Sequence, residues 1–120
     1  MNNVTLIIGA STDPSRYAYL AANKLVSHNH KIALLGLKNG EVAGGKIITE
    51  KENFEHIDTV TLYVSPKHQK EYFDYVAGLK PRRVIFNPGT ENPEFQDFLS
   101  NKGIEPIEAC TLVMLSTGQY

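Results

Sequence analysis

In LIIGASTDPSRYA, residues 6–18, an apolar run closes on one glycine, a short polar loop follows, and a helical pattern opens at Arg16. Gly9, at the end of the run, lets the backbone turn sharply and lets a phosphate approach the N–H groups of the next helix. The same glycine also serves as a plain strand-to-helix corner, needed only for packing. The loop is neither a dinucleotide fingerprint nor a P-loop: GASTDP lacks the second and third glycines of G-x-G-x-x-G, and no G-K-[ST] follows. Asp13 is an awkward neighbour for a phosphate. Arg16, at the helix start, carries a guanidinium that matches two phosphate oxygens, or pairs with Asp13 instead.

Outward from this stretch, VTLIIG (4–9), KIALLG (31–36), TVTLYVS (59–65) and RRVIFN (82–87) are short, β-branched-rich and nearly unbroken by polar residues, as strands covered on both faces are. IEPIEA (104–109) is a weaker fifth, and KIIT (46–49) a candidate sixth at an edge. Helical patterns lie between them. From Arg16 to about His28 the apolar stripe is Ala18, Ala21, Ala22, Leu25 and Val26. Ser65-Pro66 and Asn92-Pro93 each read as an N-cap with proline at the first helical position. The first of these helices turns Tyr72, Phe73, Val76 and Ala77 inward and stops at Gly78; the second buries Phe95, Phe98 and Leu99 and ends at Gly103. Strand and helix in alternation predict an α/β, doubly wound, Rossmann-like domain over residues 1–120. Its sheet is mainly parallel, with five to six strands and helices on both faces. Ligands of such sheets bind beyond the carboxyl ends of the strands, where the strand order reverses.

The loops at those ends hold the unusual residues. NAD-binding domains place Asp or Glu after the second strand to hold the adenosine ribose. Here KIALLGLKNG has no acid before Glu41 and offers Lys38. A cation there suits a ribose carrying a phosphate, as in coenzyme A or NADP, or is simply an exposed loop lysine. In YVSPKH, Val64 and Pro66 bring apolar surface on which an adenine can lie, although helix capping explains Ser65-Pro66 equally well. In NPGTENPE, Pro88-Gly89 reads as a turn, Gly89 is free to take a positive φ, and Asn87 can orient a polar group.

Catalytic constellations are missing. His28 and His30 sit in a turn, His56 and His68 stand alone, and CxxC, HExxH and G-x-S-x-G do not occur. Cys110 has no nearby histidine to activate it and reads as a structural thiol. No metal site is expected, and the chain reads as a binder rather than an enzyme. Twelve Lys and Arg against 13 Asp and Glu leave no charge excess to attract nucleic acid or an anionic membrane. One cysteine excludes an intramolecular disulfide, and MNNVTLIIGAS has no basic leader and too short an apolar run for a signal peptide or span, so a cytoplasmic protein is expected. The tail VMLSTGQY offers apolar surface to a second copy in a homodimer.

The GAS loop with S-R-Y-A, the Gly36–Lys38 segment, YVSP, NPGTEN and the terminal EACTLVMLSTGQ together resemble the small single-domain CoA-binding proteins, whose fold is similar to the CoA-binding domain of the succinyl-CoA synthetase α subunit. The likeness runs from Val4 to Tyr120. It implies that Gly9, Ala10, Ser11 and Arg16 form a phosphate loop and that Lys38 meets the phosphorylated ribose. It also implies that Val64, Ser65 and Pro66 border the adenine, while Asn87, Pro88 and Gly89 line the diphosphate or pantetheine path. Nothing here corresponds to the synthetase's phosphohistidine segment, so its activity does not transfer. The expected function is non-catalytic binding of coenzyme A or an acyl-CoA, as sensor or carrier. The alternatives are an NADP-linked oxidoreductase, a small acyltransferase using Cys110, and an interaction module with a decayed nucleotide site.

Overall fold

The structure, a computed structural model, describes residues 3–120; the first two residues of the opening MNNVTLIIGAS lie outside the described residues. Seven strands form one sheet: β1 (Val4–Ile8), β2 (Lys31–Leu35), β3 (Gly40–Val42), β4 (Gly45–Ile48), β5 (Ile57–Leu62), β6 (Arg83–Phe86) and β7 (Glu105–Glu108). Their order is β3-β4-β2-β1-β5-β6-β7, and only β3 runs antiparallel to its neighbour. Four α-helices accompany them: α1 (Tyr17–Ser27), α2 (Phe73–Leu79), α3 (Pro93–Asn101) and α4 (Thr111–Ser116). The order reverses at β1, between β2 and β5, so the switch point falls where the GASTDP loop leaves the sheet.

Alternation along the strands sorts the side chains between two layers. Leu6 and Ile8 of β1 join Val60, Leu62, Val84 and Phe86 under α2 and α3, where Val76, Phe95 and Leu99 complete the core. Ile7 faces the other way and packs with Leu34, Ile47, Ala18, Ala22 and Leu25 beneath α1. A register irregularity between Val4 and Thr5 brings β5 into phase, so Thr59 and Thr61 lie on the α4 side and Val60 and Leu62 on the apolar one. The α4 side is therefore polar: Thr5, Thr59, Thr61, Arg83 and Thr111 are all buried. Arg83 donates from Nε to Thr59 Oγ1 (3.0 Å) and from Nη2 to the Tyr120 carbonyl (2.8 Å), and its guanidinium lies 4.6 Å from the centre of the Tyr120 ring.

Several elements differ from the sequence reading. The sheet has seven strands rather than five or six. β4, the KIIT segment, is not an edge strand: it pairs with β2 on one side and β3 on the other. The extra strand β3 is closed onto β4 by Ala43-Gly44, both at positive φ (55° and 78°), a hairpin turn that Ala disguises in sequence. Val26 is exposed, not part of the α1 stripe. The helix expected from Pro66 is instead two 3₁₀ turns, Pro66–His68 and Lys70–Tyr72, before α2. That helix runs through Gly78 and is capped by Lys80 in the left-handed region (φ 53°). The tail forms α4 and turns Met114, Leu115 and Tyr120 onto its own chain, leaving Val113 exposed. Among the described residues, no helix is long and apolar enough to cross a membrane.

Candidate functional site

Ile8, Leu35, Leu62 and Phe86 sit level across β1, β2, β5 and β6, so the residues after them, Gly9, Gly36, Tyr63 and Asn87, begin four adjacent loops. Two of these positions have no room for a side chain. A Cβ on Gly9 would fall 2.8 Å from the Tyr63 carbonyl oxygen, and one on Gly36 only 2.5 Å from that of Ala10. Gly9 also sits at φ 96°, where glycine is favoured. The amides of Gly9 and Ala10 both donate to the Leu35 carbonyl, at 2.9 and 3.0 Å. The glycine that opens the loop is therefore explained by packing, and these two donors are taken up within the protein.

The loops enclose a cleft of about 800 Å³, within the ~300–1,000 Å³ usual for small-molecule sites. Of the residues singled out in the sequence, Gly9, Ala10, Ser11, Arg16, Lys38, Val64, Ser65, Pro88 and Gly89 line it. Pro66 and Asn87 do not. Asn87 is buried: its Nδ2 donates to Thr61 Oγ1 (2.7 Å) and the Leu62 carbonyl (2.8 Å), and its Oδ1 accepts from the Thr111 amide (2.9 Å). It joins β5, β6 and α4 and does not face a ligand. Pro66 starts the first 3₁₀ turn, beyond the rim.

The anion-attracting part of the cleft is the start of α1. Arg16 precedes the first helical residue and makes no side-chain cap, so the first-turn amides at Tyr17 and Ala18 lack the acceptor that Ser, Asn or Asp would supply. Asp13 does not take that role. Its Oδ1 accepts from the amide (3.0 Å) and hydroxyl (2.8 Å) of Ser15, and these bonds, with the charge of Arg16 behind them, hold its carboxyl below the usual range. The Arg16 to Asp13 contact is long, 3.8 Å, and the Arg16 side chain is 72% exposed, so the guanidinium is available to a ligand. Lys38 stands across the same cleft. Next to these cations in the chain, two large exposed side chains also line the cleft, Leu37 (89%) and Tyr17 (70%).

Sequence reasoning missed Leu37, Tyr17, Tyr63, His68, Tyr72 and Thr90, all in the lining. For Leu37 and Tyr17 a signal was present, a large apolar residue beside each candidate cation. For the others there was none, because the regular helix expected at Pro66 hid the path that brings His68 and Tyr72 to the cleft. The Tyr63 hydroxyl is buried without a hydrogen-bond partner. Burial pushes its pKa up to about 12, against the opposing effect of the Thr111 and Thr61 hydroxyls. On the far rim, the Gly89 amide (φ 92°) donates to Glu91 Oε1 at 2.8 Å. Cys110 is not among the lining residues, and no group of three or more His, Cys, Asp or Glu among the described residues is placed to hold a metal ion.

Known structures share this architecture. A crystal structure of an uncharacterized protein is 52% identical, with a TM-score of 0.96, and the match covers 100% of this chain and 99% of that one. A Thermus thermophilus protein is 20% identical with a TM-score of 0.87, over 99% of this chain and 91% of that one. A conserved hypothetical protein from Pyrococcus furiosus is 23% identical with a TM-score of 0.79, over 94% and 98%. No curated protein matches the chain. The family model described as a CoA binding domain matches residues 3–116. That match spans nearly the whole chain, and the chain belongs to the CoA binding domain family.

Proposed function

We propose that this protein is a cytoplasmic, single-domain, non-catalytic binder of coenzyme A or an acyl-CoA, acting as a sensor or carrier. The observation that carries the reading is the uncapped start of α1, which opens into a cleft holding two cations, Arg16 and Lys38. Unsatisfied amides, the positive end of the helix dipole and an exposed guanidinium, in only long contact with Asp13, are complementary to a diphosphate. Lys38, on the far side of the adenosine end, suits the 3′-phosphate. Val64 and Leu37 supply apolar surface for the base, and Pro88 and Gly89 border the path of the pantetheine arm. With Cys110 outside the lining, the acyltransferase alternative lacks its nucleophile at the site. The same two cations suit the 2′-phosphate of NADP, which makes it the comparison ligand. In a homodimer, exposed Val113 is the part of the tail left for a second copy.

The test is calorimetric titration with CoA, acetyl-CoA, dephospho-CoA and NADP. CoA is expected to bind about tenfold more tightly than dephospho-CoA, the low end for a charged hydrogen bond because Lys38 stands in solvent. Lys38→Ala removes that difference. Equal affinity for the two in the unmodified protein takes Lys38 out of its role; binding of NADP without CoA replaces the reading with a reductase.

A further inference from the structure

Gln69 is fully buried, at the junction of the two 3₁₀ turns, and neither the sequence pattern nor the cleft lining draws attention to it. Its side chain makes three hydrogen bonds. Nε2 donates to the Val64 carbonyl (2.8 Å) and to the Thr90 carbonyl (2.7 Å), and Oε1 accepts from Asn92 Nδ2 (3.1 Å). Both Nε2 hydrogens are used, and because the Val64 and Thr90 carbonyls can only accept, they fix which end of the amide is nitrogen. Val64 and Thr90 lie on different loops, after β5 and after β6, and both line the cleft. One buried side chain therefore spans its two walls. The turn geometry is what delivers it: the Gln69 amide bonds to the Pro66 carbonyl (3.1 Å) and its carbonyl accepts from Tyr72 (2.8 Å), an i to i+3 pattern that turns residue 69 inward where a regular α-helix from Pro66 would continue.

We propose that Gln69 is a positioning residue. It fixes the separation of the Val64 and Thr90 walls, and so governs affinity for a ligand long enough to touch both, without contacting that ligand. This rests on the reading of the cleft as a CoA site. In CoA, the adenosine end meets the Val64 and Lys38 side and the pantetheine arm follows Pro88–Thr90. A rigid spacing means that binding both ends costs no further ordering of the loops. Without the amide bridge each wall still binds its own end, but the two ends no longer fit together. The variants are Gln69→Met, which keeps the length and removes the donors, and the milder Asn92→Asp. The latter keeps a cap on α3 but sets a carboxylate against Gln69 Oε1.

The experiment is titration of the unmodified protein and both variants with CoA and with adenosine 3′,5′-bisphosphate, which reaches only one wall. Both variants are expected to weaken CoA by about tenfold, with the bisphosphate changed by less than about threefold. A purely structural role weakens both ligands by the same factor. Equal losses, no loss, or failure of both variants to fold overturns the positioning role while leaving the CoA reading intact. If the unmodified protein binds neither ligand, the CoA reading falls and this inference falls with it.

Discussion

At the scale of single residues, the chemistry that matters is which polar atoms have partners. Gly9 is conspicuous in the sequence, but its cause is steric: the Tyr63 carbonyl occupies the place of a side chain. That neighbour comes from the loop after β5, more than fifty positions away, so no local pattern could separate a packing glycine from a phosphate-binding one. Arg16 and Lys38 stand out in the sequence by position, one at a helix start and one in the loop after a strand, but position alone reads equally as a pair with Asp13 and as an exposed loop lysine. Asn87 was misread because an asparagine beside Pro-Gly in a loop gives no sign of being buried. The Tyr63 hydroxyl is the one buried side-chain polar atom among the described residues left without a partner. A buried group so left costs about 1–3 kcal/mol, and the ring itself would pack equally well without its oxygen. Tyr63→Phe is therefore expected to raise stability by roughly 1 kcal/mol, at the low end because the Thr61 and Thr111 hydroxyls lie nearby. Urea unfolding checks it, and a variant less stable than the parent would mean that the hydroxyl has a partner, such as a bound water.

At the scale of elements, the strands and α3 were readable because each is specified locally. The apolar runs are short and bounded, and Asn92 caps α3 through Phe95 N, as Asn-Pro at a helix start predicts. α4 was not readable. Its six residues bury Thr111 against Thr61 and Leu115 in the apolar layer under α1, with Met114 also buried, too few apolar positions to form a stripe in sequence. What holds its start is the Asn87 bridge to Thr61, Leu62 and the Thr111 amide, with Thr61 Oγ1 also 2.8 Å from Thr111 Oγ1. Asn87→Ala removes three hydrogen bonds at once and strands a buried amide and carbonyl. A loss of about 2–4 kcal/mol is expected. Amide hydrogen exchange gives the finer check: protection should fall first at Thr111–Leu115, while α1 keeps its own. Uniform loss across the sheet would show that α4 is not a separately anchored element.

At the scale of the whole molecule, charge is balanced and the pH response comes from the tyrosines. Of the six tyrosines, burial raises Tyr63 and Tyr75 to about 12 and also raises Tyr72 and Tyr120. A tyrosine in the unfolded chain ionises near 10. Because the folded values lie above the unfolded one, the folded and unfolded chains bind the same phenolic protons below about pH 10, and this contribution to stability is then complete. Between about pH 10 and 12 the unfolded chain releases protons that the folded chain retains, so stability falls as pH rises through that window. At the acid end the sign reverses. The Arg82 hydrogen bonds hold Asp58 below its ordinary value, so that contribution is present above about pH 4 and is lost as pH falls. The broad plateau between these limits should end on the alkaline side in a cooperative step, with phenolate absorbance and loss of far-ultraviolet dichroism rising together above pH 10. In Tyr63→Phe the step moves to higher pH, because one of the groups that drives it is gone. Phenolate signal appearing fully near pH 10 with the dichroism unchanged would mean that these rings ionise within the folded protein, and the burial of Tyr63, Tyr75 and Tyr120 would not be controlling the alkaline limit.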